Sequence, residues 1–300
     1  MKFRGHETFA IRKGWLTKGL RNVIEKPDVF VSKEINPMDS LGIGSNMVKA
    51  LRYWLQVTGL TSEPNSGRRN QSLTELGRVI YHNDRYIEEI GTLWLIHHAL
   101  ATNINEATSW YIFFNEFELA EFSEEDFAKK IKNYISMNHP EADNPSERVM
   151  SDDFKCIINT YYSKRNSSSD SEKENPEDNM ECPLTELGLV EYSAVRKQER
   201  VFRKQSPKAE DIPELIVLAV ILHRYGEMKE IRISSLQNDV CSIGKVFCLD
   251  TISLHNILYK LDSSGYLKVV RTAGLDVIRI MTDMTYMECV ELYYQELNDR

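Results

Sequence analysis

The chain has 300 residues, 37 Lys and Arg against 45 Asp and Glu, a formal charge of −8 and 42% hydrophobic content. Such a chain is globular and long enough for two or three domains, and its acidity excludes a surface that grips a polyanion all over. The charge is uneven: residues 1–80 carry 13 basic and 7 acidic side chains, residues 81–200 carry 12 and 24, and residues 201–300 carry 12 and 14. A net of +6 at one end points to an anionic partner for that part alone.

The first residues, MKFRGHE, lack the apolar stretch of a signal peptide, and the longest apolar run, 215–222, is far too short to span a bilayer. A cytoplasmic protein with no membrane partner is expected. The five Cys, at 156, 182, 241, 248 and 289, form no CxxC pair and read as reduced structural thiols.

In chain order, apolar spacing predicts a helix over 13–25, a short one over 33–41 and a third over 45–58. The third buries Val48, Leu51, Trp54 and Leu55, and its opposite face carries Ser45, Lys49, Arg52 and Gln56, all hydrogen-bond donors suited to phosphates or base edges. The turn before it, Leu41-Gly42-Ile43-Gly44-Ser45-Asn46, lacks the third glycine and the preceding strand of a dinucleotide loop. It reads instead as a tight turn whose free N–H groups at Gly44, Ser45 and Asn46 can meet a phosphate. Gly59 ends the helix, and 61–71 forms a wing with Arg68 and Arg69 at its tip. Segment 72–81 echoes 183–192, each reading as a short helix ending at a glycine.

Further helices are expected over 93–101, 124–137 with Ser123 and Asp126 at its start, and 147–162. Residues 163–181, SKRNSSSDSEKENPEDNME, read as a mobile acidic loop, and 204–213 as a weaker break. The C-terminal part predicts helices over 212–225, 233–239 (capped by Ser234 or Ser235) and 250–264 (capped by Asp250). The last buries Leu254, Ile257, Leu258 and Leu261. Strands 267–271 and 276–280 then form a hairpin around 272–275. Ser253, Asn256 and Lys260 are expected on the outward face of the last helix, with Arg271 on the hairpin.

The fold class is therefore mainly α, with winged helix-turn-helix modules at both ends joined by a helical middle region. The expected domains are 1–95, an acidic middle at 96–205, and 206–300; another helix, 286–297, closes the chain. The basic N-terminal module suits double-stranded DNA through Lys13, Lys49, Arg52, Gln56, Arg68 and Arg69. The C-terminal module, with little net charge, suits a protein contact as readily as DNA.

No Walker A, GxSxG or HExxH pattern is present. The densest chemistry lies in Phe3-Arg4-Gly5-His6-Glu7-Thr8-Phe9 and Arg12-Lys13-Gly14-Trp15. There Glu7 could hold a divalent metal (Mg or Mn) or activate water, His6 could shuttle a proton, and Arg12 or Lys13 could stabilise charge on phosphorus. Alternatively, the same residues fasten the N-terminal segment, with Phe3, Phe9 and Trp15 as core. His97-His98 reads as a helix-packing pair.

Gly5-His6-Glu7-Thr8-Phe9, then Arg12, Gly14-Trp15-Leu16-x-Lys18-Gly19, Leu41-Gly42-Ile43-Gly44-x-Asn46-Met47-Val48, Arg52-Tyr53-Trp54 and later Pro183-Leu184-x-x-Leu187-Gly188-Leu189 resemble the family called domain of unknown function number 4007. Isoleucine at 43 and serine at 45 stand where that family's pattern has valine and lysine, which removes one cation from the turn. The resemblance implies a place in bacterial DNA phosphorothioation and phage-defence clusters, beside sulfur-transfer enzymes and ATPases. One branch of the family is regarded as a strand-nicking component. The expected function is thus a DNA-binding, strand-nicking protein of such a system. Its rivals are a non-catalytic DNA adaptor and a winged-helix transcriptional regulator.

Overall fold

A computed structural model describes residues 1–163, 181–196, 198–226, 228–272 and 275–299. Almost all of the acidic loop expected at 163–181, and the tip of the C-terminal hairpin at 273–274, lie outside the described residues. The chain is mainly α with small antiparallel sheets and divides into two compact units. Unit 1 is Met1–Phe113 with Phe117–Lys204, and unit 2 is Phe114–Glu116 with the chain from Gln205 onward. The boundary expected at 95 falls inside a helix, Ile90–Ala101.

In unit 1, α1 (Trp15–Glu25), α2 (Pro37–Leu41) and α3 (Ser45–Val57) precede a two-stranded ribbon of β1 (Thr61–Ser62) and β2 (Ser72–Leu73). The α2 helix is shorter than predicted. Asn36 caps it by accepting the Met38 N–H, and Pro37 occupies its first position, so residues 33–35 stay outside. Helix α3 buries Val48, Leu51, Trp54 and Leu55 as its periodicity requires.

Helices α4 (Glu75–Asn83), α5 (Ile90–Ala101) and α6 (Thr108–Tyr111) follow, the last continuing as a π-helical turn, Ile112–Glu116. The short strand β3 (Glu121–Phe122) leads to α7 (Glu124–Asn138) and α8 (Glu147–Tyr161). Ser123 and Asp126 form a reciprocal capping box at the start of α7. Strands β4 (Val190–Arg196) and β5 (Glu199–Lys204) pair with β3 in the order β3-β5-β4, a sheet the sequence reading missed. His97 is buried and its Nδ1 lies 2.8 Å from the Tyr161 hydroxyl, so it packs α5 on α8.

The repeated segments do not share a structure. Thr74 caps α4 by accepting the Gly77 N–H, and the helix runs on through Gly77. At 183–187 a 3₁₀ turn forms and Gly188 ends it in the left-handed conformation. Gly77 is needed for close approach, because a Cβ there would sit 1.9 Å from the Leu60 carbonyl oxygen.

Unit 2 contains α9 (Glu214–Tyr225), β6 (Glu230–Arg232), α10 (Ile233–Asn238), α11 (Ile243–Val246) and α12 (Thr251–Ser263), then β7 (Leu267–Thr272), β8 (Leu275–Ile280) and α13 (Tyr286–Asn298). The sheet order is β6-β8-β7, so β6 adds a third strand to the expected hairpin. Neither Ser234 nor Ser235 caps α10, which starts directly from β6 at Arg232. Ser253 is buried rather than outward, because its N–H is drawn onto the capping Asp250 carboxylate. The five cysteines are free thiols, and burial pushes Cys182 up to about 12. Among the described residues no helix is long and apolar enough to cross a membrane.

Gly77→Ala should destabilise the chain by about 1–3 kcal/mol, because the contact is with backbone that cannot rotate away. A calorimetric unfolding scan against wild type measures it, and an unchanged midpoint contradicts the packing.

Candidate nucleic-acid interface

The N-terminal segment sets the position of α3. His6 and Asp153 are fully buried, and His6 Nε2 lies 2.7 Å from Asp153 Oδ1. The Thr8 N–H donates to His6 Nδ1 at 3.1 Å, so that nitrogen keeps its lone pair and Nε2 carries the proton given to Asp153. Asp153 also accepts the Arg4 N–H at 2.9 Å and the Ser109 hydroxyl at 2.5 Å. One carboxylate on α8 thereby gathers the N-terminal segment and α6. Arg4, Glu7 and Thr8 take positive φ values of 56°, 50° and 72°, a conformation that costs about 1 kcal/mol or more for each such residue.

This knot packs on α3. The His6 ring stacks with Trp54 at 6.1 Å between centroids and meets the edge of Trp110 at 5.6 Å. Trp54 Nε1 donates to the Phe9 carbonyl at 2.9 Å. A Cβ on Gly5 would lie 2.4 Å from the Tyr53 ring, so only glycine fits. The Tyr53 hydroxyl donates to the Glu106 carbonyl, and burial first, with Asp153 nearby, raises it well above the ordinary tyrosine range. Of Phe3, Phe9 and Trp15, only Trp15 is buried.

The opposite side of α3 joins two clefts. The first, about 700 Å³, is bordered by Arg12, Lys13, Trp15, Lys18, Gly44 and Ser45, together with Asn46, and no carboxylate lines it. Helix α3 starts there at Gly44 with no side-chain cap and no acidic residue in its first turn, so its first N–H groups face an uncompensated positive end. Arg12 lies over the Trp15 ring at 5.5 Å, and Lys13 is 3.2 Å from Glu88.

The second cleft, about 800 Å³, is lined by Lys33, Arg52, Arg68 and Arg69 together with the carboxylates of Asp28 and Glu34. Lys49 lies one helical step from both Ser45 and Arg52, on the face between the clefts. Lys49 and Arg68 are exposed and have no ion-pair partner among the described residues.

Glu63 was missed in the sequence. Its side chain is 1% exposed and receives Arg52 through Nε at 2.8 Å and Nη2 at 2.6 Å. Arg69 Nε lies 2.5 Å from the same carboxylate, and Gln56 Nε2 donates to it at 3.5 Å. Three expected DNA contacts therefore converge on one buried acid. The available signal was that Glu63 is the only carboxylate between Asp39 and Glu75, a stretch holding Lys49, Arg52, Arg68 and Arg69.

Both His6 nitrogens are engaged in the core, as the fastening role of this segment requires. Glu7 is half-buried, and no group of three or more His, Cys, Asp or Glu among the described residues could hold a metal ion. Asn256, Lys260 and Arg271 belong to unit 2. Asn256 is exposed, Lys260 Nζ donates to the Ala209 carbonyl, and Arg271 lies 3.9 Å from Asp276.

Helix α3 of this mainly helical chain thus carries hydrogen-bond donors at two clefts lined by cations. The chain belongs to the family described as Protein of unknown function (DUF4007), which it matches over residues 3–294. The chain is similar throughout its length to a magnesium-ion-bound SspB crystal structure, with 25% identity, a TM-score of 0.82 and 89% of that chain covered. A second SspB crystal structure gives 25% identity, a TM-score of 0.81 and the same coverage. No curated protein is significantly similar to the chain.

Asp153→Ala should cost about 3–5 kcal/mol of stability, because it strands buried donors on His6, Arg4 and Ser109. Asp153→Asn should cost less than half of that, since its carbonyl can still accept from His6 and Arg4. Urea unfolding of the full chain measures both; equal losses would show that shape, not the acceptor, matters.

Proposed function

We propose that the chain is the DNA-engaging component of a phosphorothioation-type defence system, docking duplex DNA on the α3 face of unit 1. The carrying observation is the carboxylate-free cleft at the uncapped start of α3, joined through exposed Lys49 to the arginine cleft. Phosphates are met by Arg12, Lys13, Lys18 and the N–H groups of Ser45 and Asn46, while Lys49 and Arg68 add free cations. The similarity to SspB supports a place in the same kind of system; sulfur-transfer and ATPase partners and a cytoplasmic location follow from the sequence resemblance to the family.

We read α1–α3 with the β1–β2 ribbon, within 1–95, and α9–β8, within 206–300, as winged-helix modules. The order of helices followed by a short antiparallel ribbon supports that reading. On this reading the third helix of the N-terminal module is the one presented to DNA. The region between them, 96–205, serves as a helical support.

Strand nicking is the second reading, and the magnesium-bound state of the similar SspB favours it. It predicts that supercoiled plasmid becomes relaxed circles when Mg²⁺ or Mn²⁺ is supplied. Plasmid left intact at high protein leaves the adaptor reading.

For DNA docking itself, fluorescence anisotropy of a labelled duplex across 50–200 mM salt is the test. The affinity should fall linearly on a log–log scale, and Lys49→Glu with Arg68→Glu should weaken binding roughly tenfold or more and reduce the salt slope by about 2. A duplex that never binds, or binding indifferent to the double charge reversal, overturns the proposal.

A further inference from the structure

Arg52 and Arg69 line the second cleft, yet both are bound to a carboxylate that solvent scarcely reaches. A surface acid beside two arginines would only subtract charge. Glu63 is different because it is held in a fixed place. It lies just after β1, where the Thr61 hydroxyl donates to Gln71 Oε1 and Gln71 Nε2 donates to the Arg52 carbonyl. Arg52 grips both Glu63 oxygens, Nε on Oε2 and Nη2 on Oε1, and the Arg69 Nε forms an ion pair with the same Oε1.

The consequence concerns the donors left over. A guanidinium has five N–H groups in a rigid plane, and one held at Nε keeps both terminal nitrogens for a second ligand in a fixed direction. Arg52 is 23% exposed, with one terminal nitrogen uncommitted to Glu63, whereas Arg69 is 58% exposed and offers two. Arg69 stands beside Gly67 and Arg68 on the cleft wall.

We infer that Glu63 is a positioning residue, orienting the Arg69 fork toward a planar pair of acceptors on duplex DNA. The inference rests on the DNA-docking reading above and adds the element that turns a basic cleft into a directional one. Two sources offer that acceptor pair, the oxygens of a backbone phosphate and the O6/N7 edge of a guanine.

The decisive feature is a sign. Glu63→Gln makes the chain more positive by one charge. If Glu63 merely subtracts charge, the variant binds duplex more tightly. If it positions Arg69, the variant binds roughly tenfold more weakly, because a neutral amide loses the charge-assisted bonds and turns its NH2 group toward one of the guanidinium groups. Anisotropy titration of a guanine-containing duplex with the full chain reads this directly.

A double-mutant cycle separates positioning from loss of local structure. Arg69→Ala should weaken binding roughly tenfold in the wild-type chain and less than about twofold in the Glu63→Gln chain. Losses that multiply independently overturn the inference. Arg69→Lys keeps the charge without the fork and should lose as much as Arg69→Ala; full retention of affinity overturns it, even if Glu63→Gln fails to fold. A duplex carrying 7-deazaguanine distinguishes the sources: the Arg69 effect disappears there if a guanine edge is the ligand and persists if a phosphate is. If wild type binds no duplex, the docking reading fails and this inference with it. If wild type binds and Glu63→Gln binds equally well or better, only the inference fails.

Discussion

The Asp153 carboxylate is the constraint on which unit 1 depends. It sits on α8 with no exposure and takes donors from a side chain and a backbone group of the N-terminal segment and from a hydroxyl on α6. Burying a charge is costly unless its hydrogen bonds are complete, and here at least three donors supply them. This need explains the left-handed backbone at Arg4, Glu7 and Thr8: the chain must turn tightly to present both the Arg4 N–H and the His6 ring to one acid. Strain tolerated there secures the stack of His6 on Trp54 and the close approach of Gly5 to Tyr53, and so the orientation of α3.

From that orientation the exposed face of α3 follows. Tyr53 and Trp54 point inward, so Ser45, Lys49 and Arg52 occupy the other side by helical geometry. Two acids thus act in unlike ways. Asp153 organises the interior and has no access to solvent, while Glu63 organises the arginines of the surface. The net charge of residues 1–80 counts Glu63 as a loss of one cation. Its location makes it a constraint on direction instead.

Much of this was legible in the sequence. Apolar spacing defines α3, α7, α8 and α12 to within a few residues, because each helix has one buried stripe, and α7, α8 and α12 also have a side chain at their start that accepts a free N–H group. The α8 stripe of Met150, Phe154, Ile157 and Tyr161 also includes Asp153, and an acid within an apolar stripe is a sign of a buried partner. The partner itself, 147 residues away, leaves no local trace. Strands β4 and β5 were missed because their outward faces mix charge and apolar groups, and the grip of Glu63 on residues 52 and 69 depends on the ribbon turning back over α3.

The helices that precede the ribbon of unit 1 and the β7–β8 hairpin of unit 2 differ in surface chemistry in a way that net charge alone understates. The face of α3 offers Ser45, Lys49 and the Arg52 guanidinium. The corresponding helix α12 instead exposes Ile252 at 73% and Tyr259 at 45%, with the Arg271 guanidinium lying 5.7 Å from the Tyr259 ring and the Lys260 amine turned to the Ala209 carbonyl. Cations engaged in this way have fewer donors left for phosphate, and exposed apolar side chains gain nothing from a polyanion. The exposed cations of α3 and its ribbon gather where the N-terminal knot holds α3 and where Glu63 holds the arginines, and unit 2 supplies a surface of another kind.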